Sequence, residues 1–437
     1  MLPDCRLPAS PIWVRALARD RMTEPDLDGT GTDDVADDPD TTPLLAPADG
    51  VPAVAIYASD IARAGELLAS GHGAFAIDAE RASGFRYSNR AYLIQIRRAG
   101  AGTVLIDPVS HGIDPLKALA PVAEVVNSDE WILHAADQDL PCLAELGMTP
   151  PSLYDTELGG RLAGYDRVNL AAMVQRLLGL GLKKGHGAAD WSKRPLPADW
   201  LNYAALDVEV LLELRAAVAA ELESQGKTEW AAQEFEYMRT VEPSPTRRDR
   251  WRRTSGIHKV RNGQALAAVR ELWQTRDLIA QRRDIAPGRI LPDSAIISAA
   301  AANPDTIEKL TALPIFGGSR QKRGAQVWLD ALARAREADP PASEPNNGLP
   351  PPARWSRRKP EAFERLEACR SGLTLLSEKV SVPTENLLTP ETVRRLCWDW
   401  QPSDDVAGAI EDFLVAAGAR PWQRELCVPV LTAALSS

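Results

Sequence analysis

The sequence predicts an α/β domain, built on a mixed β-sheet with helices on its faces, followed by two small all-α bundles. Between residues 54 and 240, short apolar runs alternate with amphipathic helical stretches, as expected for a sheet covered by helices. Beyond residue 260 the apolar spacing is helical only, and proline and glycine interrupt it at short intervals. These two patterns define the fold class.

Length and charge set further limits. A chain of 437 residues fits about three domains, and 45 % hydrophobic residues is enough for ordinary globular cores. The formal net charge of -10 comes from residues 24–49, which hold nine acidic and no basic residues, whereas the remainder has 50 basic and 51 acidic residues. The acidic balance therefore does not exclude a nucleic-acid partner.

The cysteine and hydropathy patterns indicate a cytoplasmic protein with no membrane partner. The five cysteines include no Cys-x-x-Cys pair and no paired Cys/His spacing, so zinc sites and a disulfide framework are not expected. No apolar run reaches 18 residues, and the N-terminus lacks a signal-type apolar core.

Domain boundaries follow changes in composition. Residues 1–50, rich in Asp, Thr, Pro and Gly without periodicity, are expected to form a disordered acidic tail. The next segments are the α/β domain, a basic linker, the first bundle, a proline-rich linker and the second bundle, over residues 51–240, 241–260, 261–340, 341–358 and 359–437. Pro287–Pro292 has a counterpart in Pro383–Pro390, so we interpret the second bundle as a diverged copy of the first.

The elements of the α/β domain can be placed in order. Apolar runs of strand length cover residues 74–80, 91–97, 103–107 and 131–134. Helical periodicity covers residues 60–70, 137–146, 169–178 and 197–223. Three successive strands, followed by alternating helix and strand, imply a mixed sheet.

The first predicted strand ends on two carboxylates. Asp78 and Glu80 lie two residues apart, so both side chains point to the same side of the strand. Two like charges repel, and a hard divalent cation such as magnesium or manganese would relieve the repulsion. Taken alone, such a pair is more often just the place where a strand meets solvent.

Two later segments supply further acids. Asp137 and Asp139 follow the strand at residues 131–134, where capping of the next helix by Asp137 is the alternative explanation. Tyr203 and Asp207 are four residues apart in a long helix and share one face. A plain amphipathic helix with a buried tyrosine is the alternative there.

Taken together, these motifs resemble those of a known family. Asp78-x-Glu80, His134-x4-Asp139 and Tyr203-x3-Asp207 resemble, in order and setting, the three exonuclease motifs of the DEDD superfamily, in its DEDDy branch. The resemblance to the ribonuclease D family extends to a helical segment similar to an HRDC domain and to three further motifs: Lys184-x5-Asp190-Trp191, Arg194-Pro195-Leu196 and Tyr154-Asp155-Thr156.

The resemblance implies a ribonuclease H-like fold that releases nucleoside monophosphates from RNA 3′ ends with two divalent metal ions, Mg²⁺ or Mn²⁺. It implies a metal-ligand set of Asp78, Glu80, Asp139 and Asp207, with Tyr203 orienting the attacking water or helping to deprotonate it. Four carboxylates without histidine or thiolate suit these ions better than zinc. The residues expected to contact substrate are His134, Lys184, Trp191 and Arg194.

Some of these assignments have structural alternatives. A strand-end residue satisfied by hydrogen bonds is the favoured alternative for His134, and a plain surface turn fits Trp191 and Arg194 equally. Basic residues near the turns of the first bundle are expected to contact phosphate, or else to form a solvated charged face: Arg282, Arg283, Arg289, Arg320, Lys322 and Arg323.

The leading function is a monomeric 3′→5′ exoribonuclease that matures structured RNA, such as tRNA precursors with 3′ trailers. A DNA 3′→5′ exonuclease is the alternative within the same superfamily, since no single residue visibly reads a 2′-hydroxyl. An RNA-binding scaffold with incidental nuclease activity is the alternative of another class. The intact set of acids argues against the scaffold.

Overall fold

A computed structural model describes residues 41–109, 112, 114–183, 185–242, 249–342 and 349–436. The first 40 residues of the predicted tail and Lys184 lie outside these ranges. Among the described helices, none is both long and apolar enough to cross a membrane.

A six-stranded mixed sheet forms the centre of the α/β domain, which confirms the predicted fold class. Its strands are β2 (Val54–Ala55), β3 (His72–Arg81), β4 (Ala91–Ala99), β5 (Gly102–Ile106), β6 (Trp131–Leu133) and β7 (Leu153–Asp155). They lie in the order β2-β5-β4-β3-β6-β7. The β3–β4 and β4–β5 pairs are antiparallel, and the other pairs are parallel.

The central strand β3 is buried because its residues 75–77 are apolar and covered on both faces. Asp78 and Glu80 lie near its end, opposite Gln95 and Leu93 of β4. The sheet therefore carries the first pair of acids on one of its two central strands.

Eight helices of the described chain surround the sheet: α1 (Ala58–Ser70), α2 (Pro115–Val126), α3 (Leu140–Ala144), α4 (Thr156–Leu162), α5 (Leu170–Leu178), α6 (Ala198–Glu209), α7 (Leu211–Ser224) and α8 (Thr228–Thr240). The helix predicted over residues 197–223 is two helices separated at Val210. The separation lets α6 pack on β3, β4 and β5 while α7 packs on α4 and α5.

The helix predicted over residues 137–146 is also shorter than expected. A 3-10 turn at Ala136–Gln138 precedes α3, and Ala135 enters it with a positive φ of 62°. The backbone N–H groups of Ala135 and Ala136 donate to the buried carboxylate of Asp155. Capping of this segment therefore comes from Asp155, 20 residues downstream, which local sequence rules could not predict.

The first bundle contains α9 (Gly263–Arg283), α10 (Pro287–Ile290), α11 (Asp293–Ala302), α12 (Ile307–Thr311), α13 (Ser319–Arg323) and α14 (Ala325–Glu337). Two 3-10 turns, Arg250–Arg253 and Ile257–Lys259, precede it. Trp251 is buried in the core of this bundle, although it lies in the predicted basic linker. An aromatic side chain with apolar neighbours draws that part of the linker onto the bundle.

The second bundle contains α15 (Trp355–Arg358), α16 (Pro360–Val380), α17 (Thr384–Leu387), α18 (Pro390–Asp399), α19 (Val406–Ala416) and α20 (Pro421–Leu435). The elements α16, α17 and α18 match α9, α10 and α11 in length and are displaced by a constant number of residues. Each long first helix ends on a left-handed residue, Asp284 or Ser381. These matches support the interpretation as a diverged copy.

The two bundles attach to the α/β domain differently. Trp422 of α20 stacks on Trp230 of α8 with ring centroids 5.1 Å apart. Glu234 is buried beside them and accepts hydrogen bonds from Arg420 Nε (2.6 Å) and Trp422 Nε1 (2.8 Å). The second bundle thus shares one continuous core with the α/β domain, whereas the first bundle has its own core.

The end of the predicted disordered tail is ordered. Thr42–Leu44 forms β1, which pairs in parallel with β8 (Leu180–Leu182) in a separate two-stranded sheet. The prediction differs here because three residues carry no detectable periodicity, and their partner strand lies far along the chain.

Candidate active site

Three carboxylates from two distant segments meet at one edge of the sheet. Oxygen atoms of Asp78, Glu80 and Asp207 all lie within 4.8 Å of one another. Asp78 and Glu80 come from β3, and Asp207 comes from α6, which packs against the sheet through the small residues Ala204 and Ala205. The arrangement brings together three of the four acids predicted as metal ligands.

The fourth acid, Asp139, is buried at the start of α3. Its Oδ1 lies 3.6 Å from Arg81 Nε, and Arg81 Nη2 donates to Gln138 Oε1 (3.1 Å). Asp139 is not part of the compact group of three, but its charge raises the pKa values of Glu80 and Asp207. Arg81 was not identified from the sequence, although it directly follows the Asp-x-Glu motif.

Burial dominates the electrostatics of the four acids. It raises the pKa values of Asp78, Glu80, Asp139 and Asp207 above their ordinary range, because a charged carboxylate loses its hydration inside the protein. Repulsion among the carboxylates raises the pKa values of the last three further, and the charge of Arg81 opposes this for Glu80 and Asp139. A site of this kind favours either protons or a bound cation.

Tyr203 lies beside this cluster on α6 and hydrogen-bonds with Asp207, as the spacing of four predicts. Burial, followed by repulsion from Asp207 and Glu80, raises the pKa of the phenol far above neutrality. The ring is covered by the loop that precedes α6, since a Cβ added at Gly185 would lie 2.5 Å from Tyr203 Cδ2. Tyr203 therefore presents a neutral hydroxyl group beside the carboxylates of the cluster.

Gln95 contacts the catalytic candidate Asp78, and the sequence did not identify it. Its side chain is completely buried on β4, and Nε2 donates to Asp78 Oδ2 (3.2 Å). The available signal was a buried polar residue inside the apolar run 91–97, on a strand expected to pair with the acid-bearing strand. The contact fixes the orientation of the Asp78 carboxylate.

His134 directly follows β6 and is half-buried. Its Nδ1 lies 2.9 Å from Thr156 Oγ1, and that hydroxyl donates to the Leu133 carbonyl (3.1 Å). The structural alternative for His134, a strand end satisfied by hydrogen bonds, matches this geometry. Lys184 lies outside the described residues.

Trp191 and Arg194 both make contacts that hold the loop before α6 in place. Trp191 is completely buried, and its Nε1 donates to the His186 carbonyl (3.1 Å). Arg194 donates to Asp107 Oδ2 (2.6 Å) and to the Tyr92 carbonyl (2.7 Å). These contacts give both side chains a structural role within the fold, and their predicted contact with substrate stays a prediction.

Asp155 supports the segment that carries Asp139. Its Oδ1 accepts the N–H groups of Ala135 (3.1 Å), Glu157 (2.9 Å) and Leu158 (3.1 Å). Burial raises its pKa to about 6, although these hydrogen bonds oppose the shift. The Tyr154-Asp155-Thr156 motif thus has a structural role: it ties the turn before Asp139 to α4.

The first bundle contacts the loop that joins β3 to β4. Arg289 Nε donates to the Gly84 carbonyl (2.8 Å), and its guanidinium lies 4.0 Å from the centre of the Phe85 ring. Arg289 therefore contacts the α/β domain, although it is exposed. The other predicted phosphate contacts whose exposure is described are also exposed: Arg282, Arg283, Lys322 and Arg323.

Three known family models match successive parts of this chain. A family model described as 3′-5′ exonuclease matches residues 55–223. The HRDC domain model matches residues 265–332, and a model described as 3′ to 5′ exonuclease C-terminal domain matches residues 348–435. The fold and the site therefore define a 3′→5′ exonuclease, a hydrolase, as predicted.

Individual relatives identify the family of exonucleases to which the chain belongs. Ribonuclease D of Acidiphilium cryptum is 32 % identical over 285 residues, which cover 63 % of this chain and 69 % of the relative. A protein of Bifidobacterium adolescentis of known structure is 37 % identical, with a TM-score of 0.81 over 91 % of this chain and 100 % of that chain. The structure of Escherichia coli RNase D, described as an exoribonuclease involved in structured RNA processing, is 25 % identical, with a TM-score of 0.63 over 88 % of this chain and 98 % of that chain. The chain belongs to the ribonuclease D family, which confirms the resemblance.

Proposed function

We propose that this protein removes nucleoside monophosphates one at a time from the 3′ ends of structured RNA. The observation that carries the proposal is the convergence of Asp78, Glu80 and Asp207 within 4.8 Å, with Tyr203 hydrogen-bonded beside them. The relatives are ribonucleases D, so the alternative of a DNA exonuclease is not favoured. Maturation of tRNA precursors by a monomeric enzyme is our specific expectation.

The acids suit two divalent ions, Mg²⁺ or Mn²⁺. All ligand atoms of the compact group are carboxylate oxygens, which these hard ions prefer, and mutual repulsion among the buried carboxylates favours a bound cation. We assign Asp78, Glu80, Asp139 and Asp207 as the ligands. Bound ions of this kind would lower the pKa of a water molecule and stabilise the leaving 3′ oxygen.

The protein groups divide the remaining work. Tyr203 keeps its proton at neutral pH because its pKa is raised, so its hydroxyl can orient the attacking water but is a poor base. In the metal-free protein, the positive charge of Arg81 partly balances the negative charge of the buried Asp139 carboxylate. Gln95 holds the Asp78 carboxylate in one orientation.

We assign substrate contacts to two of the four residues that the sequence indicated. We propose that His134 and Lys184 meet the RNA near the 3′ end, while Trp191 and Arg194 support the loop before α6 from within. The exposed cations of the first bundle are proposed to bind phosphate farther along the RNA.

For the domain division, we propose an α/β domain that includes β1 (Thr42–Leu44) and ends near residue 240. The two bundles would then begin near Trp251 and near Trp355, because each tryptophan is buried in its bundle's core.

The test uses full-length protein with 5′-labelled RNA and DNA oligonucleotides carrying free or blocked 3′ ends. We expect stepwise shortening of RNA with a free 3′ end, in magnesium or manganese and not in chelator. Equal degradation of the blocked RNA would contradict a 3′→5′ direction, and a preference for DNA would contradict the substrate.

A further inference from the structure

Residues 41–50, called here the strap, lie against the α/β domain outside its six-stranded sheet. The strap begins with β1, where the Thr42 N–H donates to the Gly179 carbonyl (2.9 Å). It ends in a turn in which the Gly50 N–H donates to the Pro47 carbonyl (3.0 Å). The 3′-5′ exonuclease family model starts at residue 55, so the strap lies outside the matched region.

The strap contacts α6 at two points. Asn202 Nδ2 donates to the Leu45 carbonyl (2.9 Å), and the Ala48 N–H donates to Glu209 Oε1 (3.1 Å). The other carboxylate oxygen of Glu209 lies 2.9 Å from Arg97 Nη1 of β4. Positions seven apart share one helix face, so the two contacts restrain that face at points about 10 Å apart.

Both functional residues of α6 lie between these contacts. Tyr203 and Asp207 project from a face turned by about 100–160° from that of Asn202 and Glu209. A roll of α6 by about 10° would move a side-chain tip, about 5–6 Å from the axis, by about 1 Å. Such a shift is significant for Asp207, whose carboxylate completes the cluster with the acids of β3.

The strap also pairs with the strand that leads into the loop over Tyr203. Leu44 is opposite Leu182, the last residue of β8. Three residues later, the Gly185 backbone lies so close to the Tyr203 ring that no larger residue fits without movement. One segment therefore restrains both α6 and the start of the loop that covers its tyrosine.

We propose that the strap positions the active site by fixing the rotation of α6, and that Asn202 and Glu209 are the positioning residues through which it does so. This inference rests on the proposed exoribonuclease function. The alternative is that the strap only adds stability at the edge of the domain.

The test uses two variants of the full-length protein, alone and combined. Asn202→Ala removes the donor to Leu45 while raising helix propensity, so α6 itself is not weakened. Ala48→Pro removes the N–H that reaches Glu209 and places proline at the second position of the turn at residues 47–50, where proline is favoured. Leu45→Ala is the matched control, because that side chain is 72 % exposed and the contact uses its carbonyl.

Two quantities are measured: kcat and KM on a short 5′-labelled RNA, and hydrogen exchange of the α6 amides in chelator. We expect kcat to fall about 10-fold in each single variant and about 100-fold in the double variant, the scale of a misplacement near 1 Å. KM should change less than about twofold, since only placement of the reacting groups is altered. Exchange of α6 should be faster in the variants, and Leu45→Ala should match the wild type in all respects.

Three outcomes would overturn the inference. An unchanged kcat with faster exchange would show that the strap only stabilises the fold, and unchanged exchange would show that it does not restrain α6. A raised KM with unchanged kcat would mean that the strap contacts RNA instead. If the wild type failed to degrade RNA, the proposed function would fall, while the exchange experiment would still decide whether the strap restrains α6.

Discussion

The carboxylate of Asp284, at the end of α9, accepts a hydrogen bond from the backbone N–H of Ser88 (2.9 Å), in the loop that follows the acid-bearing strand β3. The same carboxylate accepts from the Tyr87 N–H (3.2 Å) and the Tyr92 hydroxyl (3.3 Å), and Arg90 lies 3.6 Å away. One residue of the first bundle thus organises a loop only a few residues from Asp78 and Glu80.

A first prediction removes this contact. Asp284 has a positive φ of 46°, so Asp284→Gly keeps the left-handed backbone while deleting every side-chain acceptor. We expect a loss of about 1.5–3 kcal/mol in the stability of the docked bundle, the range for hydrogen bonds to charged groups. Hydrogen exchange over residues 84–90 should become faster.

The matched control for this prediction is Asn303→Gly. Asn303 also ends a helix at a φ of 46°, but its side chain contacts Arg336 within the bundle. Equal exchange in the two variants over residues 84–90 would contradict a specific contribution from Asp284.

A second prediction concerns the proposed metal ligands. Asp78→Asn keeps the side-chain volume and the contact with Gln95, but it removes one charged oxygen ligand. We expect cleavage to be lost, while the melting temperature in chelator stays at or above that of the wild type because one buried like charge is gone. Near-normal turnover in the purified variant would refute the assignment, and Asp207→Asn should behave in the same way.

A third prediction isolates the tyrosine hydroxyl. Tyr203→Phe preserves the ring against Gly185 and removes only the group that hydrogen-bonds with Asp207. We expect turnover to fall by roughly 10²–10⁴-fold, the usual range for a lost acid-base or positioning group, with RNA affinity largely kept. An unchanged rate would leave Tyr203 with a packing role only.

A fourth prediction follows from the raised pKa values of the acids. In the metal-free protein, Asp78, Glu80, Asp139 and Asp207 bind protons more tightly when folded than when unfolded. Their contribution to stability is thus fully present below the unfolded pKa values near 4 and decreases as pH rises through the raised folded values. In chelator, we expect the melting temperature to decrease with rising pH above about 4 more steeply in the wild type than in Asp207→Asn.

Magnesium or manganese should raise the melting temperature most at neutral pH, because metal and protons compete for the same oxygens. Tyr203 also faces the cluster and keeps its proton in this range, because burial raises its pKa. Asp155, whose pKa burial raises to about 6, is present in both proteins, so the comparison with Asp207→Asn isolates the cluster. A metal-induced shift that is the same in Asp207→Asn would show that the ions bind elsewhere.

The sequence alone determined the local parts of the site. The side-chain period of a strand places Asp78 and Glu80 on one side, and the period of a helix places Tyr203 and Asp207 on one face, whatever the rest of the fold does. The apolar runs determined most of the strands in the same way. Spacing rules of this kind depend only on residues within a few positions of one another along the chain.

Tertiary structure decided which residues meet. The contact of Gln95 with Asp78 depends on the pairing of β3 with β4, and the engagement of Arg194 by Asp107 joins residues 87 positions apart. The ion pair of Arg194 with Asp107 could not be predicted for this reason, since a charged residue in a loop looks the same in sequence whether its partner is RNA or a buried carboxylate. The strap at residues 41–50 was likewise invisible, because its few hydrogen bonds form only once α6 and β8 are in place.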